Sequence, residues 1–480
     1  MSTKKRKMIT TALAVALAVL LLIGGGTFAY LQSTSKDVKN NFNANQVTVD
    51  LTETGNRQYD IIPGTTQTKD PKVTVNNTVD AYVFVEVTDT TQGLVEYSIA
   101  DGWAKLEGFD NVYYREVAKD ANPNEFSVLA GDKVSYSTAL ENSDMLDADG
   151  KLKSGIELTF KAHAIQKEGF KDAVAAYKQI PTEAATNEEL TAALENEKAV
   201  TLDADNLTVP VASITEKNVS IDLNNKTLTV TGGNENQIIN EGQSATFENG
   251  TVKFENGTNP NVAGISLSGN GSELNLKNVK VEMKNSILVN QGVDSAKVNI
   301  TDSTIDTHAY YVVNTNAANS KTGKDVEINI KNSKLTTSRT DNDDAGILFN
   351  IPGTLNIEDS MITGDRQAVI VRCGNATIKN STLVCTAKES SLWDMYDNAT
   401  WDNGNEVPVA ALVVGNRSNA AAYPYDASCT LSGTTLTLNG NTGRTPVYAA
   451  AYNGHTTTIS GVDAKDVTVS QGDGSTVTIK

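Results

Sequence analysis

The sequence predicts an all-β protein of two modules, an antiparallel β-sandwich followed by a parallel β-helix. The first observation is a repeat. After Leu223 the order apolar, polar, Asn/Asp/Gly, two further residues, apolar recurs nine times, centred on Asn225, Asn249, Asn278, Asp302, Asn332, Asp359, Asn380, Gly433 and Gly461. Repeats of this period stack as rungs of a solenoid. Each central residue tolerates positive φ, which suits a sharp bend between two short strands such as those holding Leu276 and Val281, or Ile300 and Ile305. The second observation is strict alternation between residues 45 and 167. Val47–Leu51, Lys72–Val75, Tyr82–Val87 and Ile156–Phe160 each alternate apolar and polar residues, with Gly, Asn and Pro between them. About seven antiparallel strands with one solvated face are expected there. The third lies between the two regions. A helical stretch from Phe170 to Ile180 is stopped by Pro181, and Thr186-x-x-Glu189 is a capping box opening a short helix with Leu190, Ala193 and Leu194 on one face. A solenoid needs such a lid over its first rung.

The chain is long enough, at 480 residues, for two or three full cores. Residues 1–29 read as a secretory signal peptide: Lys4-Lys5-Arg6-Lys7, an apolar run from Ala12 to Ile23, Gly24-Gly25-Gly26, and small residues at 27 and 29. Cleavage is expected between Ala29 and Tyr30; the alternative is an uncleaved anchor reaching Leu31. Removal of the signal leaves 36 basic against 58 acidic side chains, net −22. That balance argues against nucleic acid or, after processing, a membrane as partner. Cys373, Cys385 and Cys429 are odd in number and are read as buried core residues. No sorting motif or hydrophobic tail follows Thr478, so sortase attachment is not expected.

Several motifs in order carry a resemblance. Gly24-Gly-Gly-Thr-Phe-Ala-Tyr30, Asn41-Phe42 leading to Val49-Asp-Leu-Thr-Glu53, Pro63-Gly64 before Lys69-Asp70-Pro71, Tyr82-Val-Phe-Val-Glu-Val87 and Ala164-Ile-Gln-Lys-Glu-Gly-Phe170 resemble the TasA and camelysin family, over roughly residues 8 to 180. The resemblance implies export through the signal peptidase SipW, a jelly-roll-like sandwich over 30–180, and a secreted matrix or surface role. It also implies a candidate assembly strand, Tyr30 to Leu51, whose Phe42, Val47, Val49 and Leu51 would be buried in a neighbouring subunit by β-augmentation. The alternative is that the same segment is the first strand of its own sandwich. Camelysin has been classed as a metalloprotease, but His-Glu-x-x-His is absent and the three histidines, His163, His308 and His455, are scattered.

After a linker and capping helix at 181–199, residues 200–480 resemble the right-handed parallel β-helix of the pectate lyase-like superfamily. A further strand register aligns Ile265-Ser-Leu267, Ile287-Leu-Val289, Tyr311-Val-Val313, Ile347-Leu-Phe349, Val369-Ile-Val371 and Leu412-Val-Val414. Their middle residues, Ser266, Leu288, Val312, Leu348, Ile370 and Val413, are expected outside the coil as an apolar stripe. A loop insertion over 387–428 is expected to cover it and to supply one rung. Its Trp393, Asp394, Tyr396, Trp401 and Asp402 are the candidate carbohydrate or partner-binding residues, since aromatic platforms beside carboxylates suit sugar rings.

An enzymatic cleft would have to come from Asp343, Asp344, Asp365, Arg366 and Arg372, with Asp344 and Arg366 stacked about one strand spacing apart, ~4.8 Å. The Gly-His-Gly hydrolase signature is missing, and these residues also describe an ion pair at a turn. Asp147-Ala-Asp149-Gly150 lacks the first Asp and closing Glu of a calcium loop, so no cofactor or metal is expected, with calcium as the alternative. The chain is therefore read as a secreted cell-surface or biofilm-matrix protein, structural or adhesive rather than catalytic. Its partners would be further copies of itself, matrix or surface proteins, or glycans. The alternative is an extracellular polysaccharide lyase or hydrolase.

Overall fold

The computed structural model describes residues 32–34, 46–54, 58–151, 153–232, 236–255, 263–315, 323–338, 344–387, 409–417, 425–439 and 444–480. Ala29, Tyr30, Phe42, Asp343, Trp393, Asp394, Tyr396, Trp401 and Asp402 lie outside the described residues. The chain divides into two compact units, Met1–Ile180 and Pro181–Lys480. Among the described residues no helix is long and apolar enough to cross a membrane.

The first unit is antiparallel. A five-stranded sheet runs β1 (Gln32–Thr34), β10 (Leu158–Gln166), β5 (Ala81–Asp89), β7 (Val112–Val117), β6 (Ala104–Lys105), and a three-stranded sheet runs β2 (Val47–Thr52), β4 (Lys72–Asn77), β8 (Glu125–Ser127). A two-stranded sheet pairs β3 (Thr66–Thr68) with β9 (Lys133–Ser135). Val83, Val85, Val87, Val117, Ala162 and Ala164 of the larger sheet share one core with Val47, Val49, Val73, Val75 and Val128 of the smaller elements. Alternation places Tyr82, Phe84 and Ile165 on the other face of the larger sheet, where Ala173, Ala176 and Tyr177 of the helix Ala173–Lys178 cover them. Asp172 caps that helix by accepting from Ala175 N at 2.8 Å.

The chain itself pairs the candidate assembly strand twice. Gln32–Thr34 lies against His163–Ile165, and Val47–Thr52 lies against Lys72–Asn77 with Val47 and Val49 buried and Leu51 packed at the core's margin. The two pieces sit in different sheets.

The second unit is a coil of parallel strands in three ladders. The capping box is formed as the sequence predicts: Thr186 Oγ1 accepts from Glu189 N at 3.2 Å and Thr186 N donates to Glu189 Oε2 at 3.1 Å. Leu190, Ala193 and Leu194 of the helix Asn187–Glu195 are buried in the coil's core. In a middle rung Lys297–Thr301 belongs to the first ladder, Thr304–Thr307 to the second and Tyr311–Asn314 to the third. Each pairs in parallel with its counterpart one rung on, Val326–Lys331, Lys334–Thr337 and Ala345–Phe349. The insertion supplies Ala410–Gly415 to the third ladder.

All nine predicted bend residues have positive φ, from 46° at Asn332 to 83° at Gly461. Three of them also donate to the rung before: Asn249 Nδ2 to Asp222 Oδ1 at 3.1 Å, Asn278 Nδ2 to Asn249 Oδ1 at 3.1 Å, and Asn332 Nδ2 to Asp302 Oδ1 at 2.6 Å. The residue after the bend adds a second column. Ser303, Ser333, Ser360 and Ser381 are buried. The Oγ atoms of Ser333, Ser360 and Ser381 accept from Ser303 N, Ser333 N and Ser360 N at 3.0, 3.0 and 3.1 Å. Each hydroxyl donates to the carbonyl two residues back, Ser333 to Lys331 O at 2.6 Å. On the outer face of the first ladder a third column, Asn275, Asn299, Asn329 and Asn356, is bonded at 2.9 to 3.0 Å per step.

These columns are expected to carry measurable stability. Asn332→Val forces a branched side chain into the left-handed region at a cost of about 1–3 kcal/mol, whereas Asn332→Gly keeps the bend and loses less. Ser333→Ala strands Ser303 N and should cost about 1–3 kcal/mol. Thermal unfolding should therefore rank wild type, Asn332→Gly, then Asn332→Val; equal melting temperatures for the Gly and Val variants would refute the role of the bend.

Candidate binding face

The outer face of the third ladder gathers most of the described candidate residues. Its strands place Ile265, Ile287, Val313, Ile347, Val369, Leu412 and Val447 in line, pointing into the coil. The next residue of each faces outward: Ser266, Leu288, Asn314, Leu348, Ile370, Val413 and Tyr448.

One predicted member is corrected. Val312 does not face outward; it is fully buried in the coil's main core beside Val313, and Asn314 takes its place in the stripe. The reason is a bulge that runs along the ladder. Two successive residues point inward at Val312/Val313, Ala368/Val369 and Ala411/Leu412. At Gly346 an added Cβ would meet the core atom Ile362 Cγ2 at 2.5 Å, so the small residue is required by the close approach. A strict two-residue period misassigns such a strand by one residue. The stripe is thus interrupted at Asn314 and continuous beyond it. Ala345, Leu348, Ile370, Ala410 and Val413 form a buried apolar cluster of their own, with Tyr311 and Tyr448 half-buried at its ends.

Polar side chains line both edges of this cluster. Before the strands, Asp344 is 1% exposed, Asp365 6% and Arg366 5%. Asp344 and Arg366 occupy successive rungs, as the alignment predicts, and Arg366 N donates to Asp344 O at 2.9 Å. Asp344 Oδ2 accepts from Asp365 N at 3.2 Å, Asp365 Oδ1 accepts from Thr386 Oγ1 at 3.1 Å, and Arg366 Nε donates to Gln367 Oε1 at 3.3 Å. After the strands, Arg372 Nη1 donates to Gly415 O at 3.2 Å, and Asn416 bonds both the N–H and the carbonyl of Tyr452 at 2.8 Å.

Arg372 does not join the acidic pair. The strand Gln367–Val371 separates it from Arg366, a span of six residues or about 20 Å in extended chain. Asp344, Asp365 and Arg366 come together at one edge, and Arg372 stands at the other. All four are buried; the side chains of Asp344 and Arg372 bond backbone groups, and those of Asp365 and Arg366 bond the side chains of Thr386 and Gln367. Sequence reasoning missed Asn350, Thr315 and Asn416, which extend the second edge: Asn350 Oδ1 accepts from Thr315 Oγ1 at 2.9 Å. Their only signal was an Asn or Thr directly after an apolar strand.

Cys373, Cys385 and Cys429 are free and buried, as expected. Burial, reinforced at Cys385 by the charges of Asp365 and Asp344, pushes the Cys385 thiol up to about 12, and burial alone does the same at Cys429. Among the described residues no group of three or more His, Cys, Asp or Glu is arranged to hold a metal ion.

No family model matches the chain, and no curated protein matches it. Among solved structures the chain is distantly similar to a catalytic domain of a GH87 α-1,3-glucanase in complex with tetrasaccharides, at 11% identity over 88% of this chain and 83% of that one, TM-score 0.27. The Agl-KA catalytic domain matches at 11% identity, 86% and 90% coverage and TM-score 0.20. A GH87 α-1,3-glucanase domain with nigerose matches at 9% identity, 89% and 98% coverage and TM-score 0.17. No activity is assigned to this chain from likeness of that order.

The cysteines give a pH prediction. A thiol whose folded value lies above its ordinary 9.0 contributes stability that is complete below pH 9 and is lost as pH rises towards 12, because the unfolded thiol ionises first. An aromatic disulfide reagent at pH 8 should therefore modify none of the 3 cysteines in the native chain and all of them in denaturant. The urea midpoint should fall as pH is raised past 9. Rapid native labelling would contradict the burial.

Proposed function

We propose that the chain is a secreted cell-surface or matrix protein of structural or adhesive kind. The N-terminal sandwich would attach or assemble, and the β-helix would act as a stiff element presenting its third-ladder face. The observation that carries this reading is the fate of the polar groups at that face. Asp344, Asp365, Arg366 and Arg372 bond backbone groups or the residues beside them and are buried, which suits a scaffold better than an open cleft. The signal-like N-terminus, the acidic balance and the resemblance of residues 8 to 180 to the TasA and camelysin family support the location and the assembly role. On this reading SipW-type processing would expose Tyr30, and further copies, surface proteins or glycans would be the partners.

Self-assembly through the N-terminal strand has a specific form here. Gln32–Thr34 pairs through three residues only, whereas Val47–Thr52 belongs to the core of its own sandwich. The exchangeable piece would therefore be the segment ahead of residue 46. Negative-stain electron microscopy of residues 30–480 beside a form lacking residues 30–45 tests it: filaments only in the longer form are expected. Filaments in both, or in neither, would reject assembly by this strand.

A second reading rests on one observation. Asp344 and Asp365 are carboxylates on successive rungs, one residue out of register, and glycoside hydrolysis uses a pair of carboxyl groups. On this reading the chain would be an extracellular polysaccharide-cleaving enzyme. Reducing-end release from a polysaccharide panel including α-1,3-glucan, lost in both Asp344→Asn and Asp365→Asn, would establish it and displace the first.

A further inference from the structure

The first unit holds a cavity that neither reading uses. It measures about 320 Å³ and opens where the end of β5 meets the start of β7, lined by Thr88, Asp89, Tyr97, Asp110, Asn111 and Tyr113. That is the small end of the range for small-molecule sites, roughly 300–1,000 Å³.

Backbone pairing holds its walls. Val85 pairs with Tyr113 across the sheet, and Val87 N donates to Asn111 O at 2.9 Å. Tyr97 and Tyr113 are half-buried, each packed on one side against the sandwich core. The acidic groups are largely committed. Asp89 Oδ1 accepts from Thr91 N at 2.8 Å and its carboxylate also takes the Tyr97 hydroxyl, while Asp110 Oδ1 is 3.0 Å from Lys105 Nζ. Burial and Asp89 push the Tyr97 phenol up to about 12, so it stays a donor across the physiological range. Asn111 is exposed, and its carboxamide has no hydrogen-bond partner among the described residues.

We propose that this cavity binds one neutral sugar ring. A pyranose offers an apolar C–H face and a rim of hydroxyls, and the cavity offers two tyrosine rings with a carboxamide, a threonine hydroxyl and carboxylate oxygens around them. An amine ligand fits less well. It would need a carboxylate turned into the cavity, and Asp89 is held by Tyr97 and Thr91 while Asp110 is a fully exposed carboxylate beside Lys105. The inference rests on the first unit alone, so it stands or falls separately from either reading of the β-helix.

The test is saturation-transfer NMR and titration on the mature full chain with methyl glycosides of glucose, galactose, mannose and N-acetylglucosamine, with putrescine as the cationic comparator. At least one glycoside should bind in the millimolar range and putrescine should not. Asn111→Ala, which removes an exposed side chain and keeps the backbone bond to Val87, should weaken binding about tenfold at an unchanged melting temperature. Tyr97→Phe, which keeps the ring, should weaken it in the same direction. The proposal is overturned if no glycoside binds, if putrescine binds more tightly than every glycoside, or if glycoside binding is the same in wild type and Asn111→Ala.

Discussion

The left-handed bend between the first and second ladders is the constraint on which the β-helix depends. A parallel coil must turn a corner on every rung, and the turn has to match the one before it or every strand beyond is displaced. A slip of one residue would carry Leu276, Ile300 and Ile330 from the core to solvent, since side chains alternate with period two. Residues that accept positive φ make the corner sharp. The amide of one bend residue, donating to the carboxylate or carboxamide one rung earlier, locks successive corners in step. At four consecutive bends a buried serine follows, and the hydroxyls of Ser333, Ser360 and Ser381 satisfy the N–H of the rung before, which would otherwise be stranded. A nearest-neighbour device of this kind makes stability additive along the stack. The same rule explains why the helix Asn187–Glu195 sits at the start: Leu190, Ala193 and Leu194 cover core that no earlier rung covers.

What was legible in the sequence follows from what each signal encodes. The bend column was legible because left-handed φ favours Asn, Asp and Gly, and all nine positions took that conformation. The capping box was legible because both halves of the reciprocal bond are written three residues apart. Val312 was misplaced because a bulge breaks the two-residue period, and a bulge leaves no mark beyond a small residue such as Gly346 or Ala368. The serine column went unread although Ser303, Ser333, Ser360 and Ser381 each follow a bend residue; a lone Ser after Asn or Asp has the composition of any turn. Arg372 was grouped with Arg366 because six residues are near in sequence, yet an extended strand sets them at opposite edges of the ladder. The cavity between Tyr97 and Tyr113 could not be read at all, since β5, β7 and the loop holding Tyr97 meet only through sheet pairing.

The polar groups at the two edges of the third ladder do what the serines do at the bend. Asp344 takes the N–H of Asp365, Arg372 takes the carbonyl of Gly415, and Asn416 takes both polar groups of Tyr452. Each serves a backbone group where regular pairing stops. The Thr315 hydroxyl does the same at the second edge, accepting from Asn350 N at 2.7 Å. Burying ionised groups is a poor source of net stability, but removing one member of such a set leaves its partner desolvated and costs several kcal/mol. Packing and desolvation alone therefore make the edges intolerant of change.

That arrangement bears on catalysis. A carboxyl that acts as general acid must exchange its proton with a substrate oxygen, and one that acts as base or nucleophile must face the reacting carbon. Asp344 Oδ2 faces the N–H of Asp365 and Asp365 Oδ1 faces the hydroxyl of Thr386. Each of these two oxygens is thus engaged with the neighbouring rung. If hydrolysis required Asp344 Oδ2 to leave its bond and face a substrate, the N–H of Asp365 would be stranded at a cost of about 1–3 kcal/mol before any substrate is engaged. Binding of a long polymer could supply that energy. A scaffold needs none of it, and the spacing of two carboxylates one rung apart is what stacking alone produces wherever acidic residues recur at one corner of a β-helix.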